Sequence, residues 1–182
     1  MFIQTETTPN PLTLKFIPGV PVMGQGGTAF YTDVGAAKGS PLALALFDIN
    51  GVRAVFLGAD FVTVTRAENS SWEALKPGLL TAIMEHFVSG GKTSNEAAAE
   101  TSYEGDDEIV KQIRELIDTR VRPAVAQDGG DIIYRGFEDG IVKLELHGSC
   151  SGCPSSTATL KNGIENMLRH YVPEVIAVEA VA

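Results

Sequence analysis

Leu12, Leu14 and Phe16 alternate with polar residues at period two, which puts them on one face of a strand that ends at Pro18-Gly19. A second short strand is expected over residues 28–32. Ser40-Pro41 ahead of the apolar run 42–47 reads as an N-cap, a proline in the first turn and a short buried helix closed by Gly51. Residues 52–57 and 61–65 are rich in β-branched and aromatic side chains, and Gly58-Ala59-Asp60 between them predicts a hairpin. Trp72, Leu75, Leu79, Ile83 and Phe87 recur at helical spacing, so an amphipathic helix follows, which Pro77-Gly78 should kink or divide.

The pattern fades over residues 89–105, where Gly, Ser, Asn, Ala and Glu dominate, and this stretch is expected to be a flexible linker. It resumes with Asp106-Asp107-Glu108, acidic residues suited to a first turn, ahead of Ile109, Ile113, Leu116 and Ile117. This helix should bend or restart near Pro123 and stop at Asp128-Gly129-Gly130-Asp131. Strands over 132–135 and 141–146 flank the turn Glu138-Asp139-Gly140. Leu160, Ile164, Met167, Leu168 and Tyr171 mark a last helix, Val172-Pro173 ends it, and 175–181 form a final strand. The fold class is therefore α+β: two small mixed domains, 1–88 and 106–182, joined by the linker, the second in the order α-β-β-α-β.

Composition narrows the partners. A formal charge of -9, from 14 basic and 23 acidic residues without a basic cluster, argues against nucleic acid. No apolar run approaches the roughly 18 residues that cross a bilayer, so no membrane is expected. Met1-Phe2-Ile3-Gln4-Thr5-Glu6 shows neither a secretory nor an organellar targeting pattern, which makes a cytoplasmic location the expectation.

Chemistry concentrates in Gly148-Ser149-Cys150-Ser151-Gly152-Cys153-Pro154, which holds both cysteines of the chain between a strand and a helix. Pro154 suits a first helical turn, and unpaired N–H groups at the helix start favour thiolate over thiol. Three readings compete. A zinc site needs four ligands, and the chain has neither a second cysteine pair nor more than one nearby histidine, His147, which in register with Lys143 and Glu145 reads as an exposed polar residue. A thiol-disulfide oxidoreductase would use Cys150 and Cys153 as a redox pair, but a thioredoxin-like domain needs a βαβ unit where this chain has a hairpin. An iron-sulfur cluster takes four thiolates, and two chains would supply them, in exposed loops better suited to release than to permanent electron storage.

Other candidates have plain explanations. Gly24-Gln25-Gly26-Gly27 lacks the Lys-Ser/Thr ending of a phosphate loop. Trp72 sits in a core pattern, and His86 and His170 sit in last helical turns, where a cation complements the dipole. Asp128 and Asp131 read as turn residues, and Ser155, Ser156 and Thr157 as capping hydroxyls without a nearby histidine base. No enzyme active site is expected.

Two sets of residues carry a family resemblance. Arg122-Pro123, Asp128-Gly129-Gly130-Asp131, the cysteine segment through Ser156, Thr159-Leu160-Lys161-Asn162-Gly163-Ile164 and Val172-Pro173-Glu174-Val175 resemble the NifU-like C-terminal domain. Residues 1–5, Thr8-Pro9-Asn10-Pro11 and Leu14-Lys15-Phe16-Ile17-Pro18-Gly19 are similar to the Nfu N-terminal domain. A resemblance to Nfu-type iron-sulfur proteins implies a carrier whose homodimer binds a [4Fe-4S] cluster through Cys150 and Cys153 of both chains; whether [2Fe-2S] is carried as well is left open by the sequence. It also implies an upstream scaffold as donor, apo clients such as lipoyl synthase-like or aconitase-like enzymes as acceptors, and an N-terminal domain that contributes to partner contacts. A bacterial, cytoplasmic member is the expectation.

Overall fold

A computed structural model describes residues 2–24, 27–91, 107–149 and 154–181, and of residues 154–157 the backbone alone. The chain divides into two compact units, 1–100 and 101–182.

In the first unit, β1 (Gln4–Thr7), β2 (Thr13–Ile17), β3 (Ala29–Tyr31), β4 (Val52–Leu57) and β5 (Val62–Arg66) form an antiparallel sheet in the order β1-β2-β5-β4-β3. The alternating residues Leu14, Phe16, Val55 and Val64 face a core shared with α1 (Pro41–Phe47) and α2 (Trp72–Val88). As expected, Ser40 caps α1: its Oγ accepts the Ala43 N–H at 3.2 Å and Pro41 occupies the first turn. The polar strand β1 carries no apolar period to announce it. It exists because β2 offers a free edge, paired from Gln4↔Ile17 to Thr7↔Leu14.

Of the kink or division expected at Pro77, the division does not occur: α2 continues through the proline as one helix. Leu75, Leu79 and Ile83 are buried on both sides of the proline, while Pro77 itself is exposed, so the carbonyl it leaves unpaired can bond water. The helix closes where Gly91 donates its N–H to the His86 carbonyl at 3.0 Å, with Gly90 at φ 70°. Of the expected linker only residues 89–91 are described; the remainder lies outside the described residues.

In the second unit, α3 (Glu108–Leu116) passes through a π-helical turn, Ile117–Val121, into α4 (Arg122–Gln127). The sequence called for a bend near Pro123, and the wide turn is how the chain accommodates a residue with no N–H and a ring that crowds the carbonyl four residues back. Ile113, Ile117, Val121 and Val125 stay buried throughout, so the apolar stripe survives the irregularity. Next come β6 (Gly130–Glu138) and β7 (Ile141–Gly148), an antiparallel hairpin whose turn residues Asp139 and Gly140 have φ of 51° and 78°, the left-handed pair that matches strand twist. A helix, α5 (Pro154–Tyr171), leads to β8 (Ala177–Val181), parallel to β7, giving the sheet order β6-β7-β8. Ile164 and Leu168 of α5 join Ile132, Val142 and Leu144 in the core, whereas Tyr171, expected on that stripe, is 47% exposed. The unit follows the expected α-β-β-α-β order. Among the described residues of the whole chain, no helix is long and apolar enough to cross a membrane.

Candidate functional site

Cys150 and Cys153 lie outside the described residues. The elements on either side of them are described, and they form a braced frame. β7 ends at Gly148, whose φ of 68° turns the chain as the strand finishes. α5 begins at Pro154, so unpaired N–H groups and the positive end of an 18-residue helix lie at the other end of the connection.

Ser149, the residue before Cys150, is buried and doubly held. Its N–H donates to the Gly129 carbonyl at 3.3 Å, and its hydroxyl donates to the Asp128 carbonyl. The corner that receives both bonds is shaped by Gly129 at φ 81° and continues into β6, where Gly130 pairs with Gly148 and Asp131 with His147. Asp131 is 3% exposed and takes a two-pronged bond from Arg122: Nε to Oδ1 at 2.8 Å and Nη2 to Oδ2 at 2.9 Å. The Ile132 N–H donates to the same Oδ1 at 2.8 Å, and Arg122 Nη1 reaches Asp118 Oδ1 at 3.4 Å. Hydrogen bonding to Asp131 raises the Arg122 pKa above the ordinary guanidinium value against the opposing effect of burial, so the guanidinium stays charged.

Asp128 and Asp131 are therefore more than turn residues. The first lends its backbone carbonyl to Ser149, and the second is one half of a buried ion pair linking α4 to β6. Sequence reasoning missed this brace because its partners stand nine residues apart with a helix end and a corner between them. The available signal was an arginine immediately before a first-turn proline, followed by an aspartate where a strand begins.

His147 is less exposed than its register suggested, at 15% for the side chain. Its Nε2 lies 2.9 Å from Glu145 Oε1, and Arg135 Nε donates to the other oxygen of that carboxylate. The Glu145 pKa is lowered below its ordinary 4.5, first by the bond from Arg135 and then by that from His147. The other histidines divide. His170 sits in the last turn of α5 with its ring against Tyr171. His86 is buried with its Nε2 unpaired, and burial lowers its pKa, so it is a packed neutral ring rather than a cation at a helix end. Trp72 is half-buried against the core and donates its Nε1–H to the Pro11 carbonyl at 3.3 Å. Among the described residues no group of three or more His, Cys, Asp or Glu side chains converges as a metal site. The side chains of Ser155, Ser156 and Thr157 and the residues Gln25 and Gly26 lie outside the described residues.

Two family models match the chain in succession: scaffold protein Nfu/NifU N terminal over residues 3–90, and NifU-like domain over residues 113–179. The whole chain is 54% identical to proteins of Drosophila ananassae and Drosophila virilis, each named NFU1 iron-sulfur cluster scaffold homolog, mitochondrial, of which it covers 64% and 62%. It thus spans just under two thirds of the length of these relatives. Among solved structures, a NifU-like protein of Saccharomyces cerevisiae is 25% identical, with a TM-score of 0.49, over 53% of this chain and 87% of that one. A Staphylococcus aureus protein is 24% identical, with a TM-score of 0.41, over 46% and 99%. The chain belongs to the Nfu family, with an Nfu N-terminal domain followed by a NifU-like domain.

These relatives overturn one expectation. A bacterial cytoplasmic location was inferred from the first residues of this chain, but the relatives it matches end to end carry mitochondrial names. Targeting patterns sit at chain ends, and the relatives extend beyond the matched span.

Proposed function

We propose that this protein is an iron-sulfur cluster scaffold and carrier, working in mitochondria as its relatives' names suggest, that holds a [4Fe-4S] cluster between the Cys150/Cys153 pairs of two copies of the chain and passes it to apo-proteins. The observation that carries the reading is the position of the only two cysteines: inside the NifU-like match, between the end of β7 and the start of α5. The relatives' printed names, iron-sulfur cluster scaffold homologs, support it. The oxidoreductase alternative is disfavoured by topology, since an antiparallel hairpin, β6-β7, precedes the cysteines where a thioredoxin-like unit would have a βαβ crossover.

The cluster is cargo, and the chain's part is to make it bindable and releasable. The first-turn N–H groups and dipole of α5 favour the thiolate forms of the preceding cysteines. Release is ligand exchange without net redox change: each incoming client thiol loses a proton as it binds iron, and each departing Cys150 or Cys153 thiolate takes one up. The upstream donor would be another scaffold, and the acceptors apo-enzymes of the lipoyl synthase or aconitase kind. The first unit, which shows no catalytic constellation among its described residues, is assigned to choosing clients.

The test is anaerobic transfer from cluster-loaded protein to an apo acceptor in the presence of a chelator. Acceptor activation that the chelator does not intercept supports direct delivery. Activation abolished by the chelator, or none at all from fully loaded protein, contradicts it.

A further inference from the structure

We infer that the outward face of α2 is a docking surface for an amphipathic helix of a partner protein, one with an apolar seam and basic flanks. Which proteins bear that helix rests on the client-choosing role proposed for the first unit; the surface itself rests on α2.

A helix at the surface of a small domain ordinarily turns charged residues to solvent. α2 does not. It packs Leu75, Leu79, Ile83 and His86 inward, and apart from that histidine only Glu73, Lys76 and Glu85 of its 17 residues are ionisable. Outward it presents Ala74, Pro77, Thr81, Met84 and Val88, all exposed, the last two at 40% and 72%. None is charged, and the one hydroxyl among them is satisfied within the helix, since Thr81 Oγ1 donates to the Pro77 carbonyl at 2.8 Å. Single exposed apolar residues are ordinary, whereas a continuous stripe of them marks a contact surface.

The spacing of the stripe names the kind of partner. Positions 74, 77, 81, 84 and 88 are separated by three, four, three and four residues, the a/d period by which one helix seats its side chains between those of another. At the rise of an α-helix the stripe is about 21 Å long, or about four turns of a second helix laid along it. A strand or an irregular loop has no such period, so the match selects a helix. The flanks name its charge. Glu73 and Glu85 lie on opposite sides of the stripe, in the e and g positions that set partner choice between paired helices, and the whole chain carries -9. A helix with Lys or Arg beside its apolar seam is drawn to this face, and a second copy of so acidic a chain is repelled from it.

The experiment uses the full chain and two synthetic three-heptad helical probes labelled with fluorescein. Both have Leu at a and d; one has Lys and the other Glu at e and g. Binding is read by anisotropy at low and high salt. Two variants are compared with wild type: Met84→Gln/Val88→Gln, which makes the stripe polar with a helix-forming residue, and Glu73→Gln/Glu85→Gln, which removes the flanking charge. All four positions are exposed, so both variants should melt with the wild type. The basic probe should bind, weaken about tenfold in the stripe variant and lose most of its salt dependence in the flank variant. The acidic probe should bind wild type about tenfold more weakly than the basic one. No binding of the basic probe, equal binding by the stripe variant, or equal binding of the two probes overturns the assignment. Sedimentation of the full chain without a probe adds a further check: self-association that the stripe variant abolishes makes the occupant a second copy and overturns it too. Cluster transfer to several apo acceptors tests the other reading separately. If the basic probe binds as expected while the stripe variant serves every acceptor at the wild-type rate, the client-choosing role fails and the docking surface stands.

Discussion

Arg122 and Asp131 meet at 2.8 and 2.9 Å in a two-pronged ion pair whose carboxylate is nearly sealed from water, and this pair joins the helical half of the NifU-like domain to the strand corner that supports Ser149. Removing the guanidinium strips a buried carboxylate of its two-pronged charged partner. Truncating one member of a buried pair costs about 3–5 kcal/mol, and with 22% of the Arg122 side chain exposed the lower end applies, about 3 kcal/mol for Arg122→Ala. Urea denaturation followed by circular dichroism reads this. Asp131→Asn should cost less, because an amide keeps hydrogen-bonding capacity without stranding a carboxylate, and equal costs would contradict the account.

The two cysteines are predicted to matter for cargo and not for folding. Cys150→Ala and Cys153→Ala should each abolish stable cluster binding after anaerobic reconstitution, while melting within a few degrees of wild type. The core of this unit is built from other residues, Ile113, Ile117, Ile132, Leu144 and Leu168 among them. Retention of a full cluster by both variants would remove the cysteines from the site.

Acid should weaken the first unit through His86. Burial holds its folded-state pKa below the ordinary 6.5, so the unfolded chain takes up the proton first as pH falls. Stability from this group is full above about pH 6.5 and declines as pH drops toward the folded value, by at most about 1.4 kcal/mol per pH unit. Glu145, whose pKa is also lowered, loses its contribution only below about pH 4.5, so the two windows separate. Melting temperature between pH 7 and 5 should fall in wild type and flatten in His86→Leu; parallel curves would show that His86 is not the group responsible.

The two units each have their own core, which predicts separable unfolding. Leu79→Ala and Leu168→Ala both delete fully buried side chains and should cost about 3–5 kcal/mol, but in different transitions. Calorimetry should show Leu79→Ala lowering one transition and Leu168→Ala the other. A single transition lowered equally by both would mean the units fold as one.

Where apolar periodicity was strong, the sequence announced the element: the Ser40-capped α1, the β4-β5 and β6-β7 hairpins, and the buried Ile113 and Ile117 of the helix ahead of Pro123 could all be read from residue spacing. The failures share a cause, which is that tertiary pairing has no local period. Strand β1 is polar and is recruited by the edge of β2; Pro77 is carried through a helix by core contacts on both sides of it; Asp131 looks like a corner residue until Arg122 is folded against it. For the candidate site, the cysteine pair was legible from residue type and spacing, but the bonds that hold Ser149 join carbonyls 20 and 21 positions away and leave no trace in the local sequence.

The most direct test of the central claim is iron and acid-labile sulfide per chain after anaerobic reconstitution, measured together with solution mass. Cluster sharing between two cysteine pairs predicts about two irons and two sulfides per chain in a species of twice the chain mass. No bound iron, with a clean two-electron titration of the Cys150/Cys153 thiols in a monomer, would contradict it.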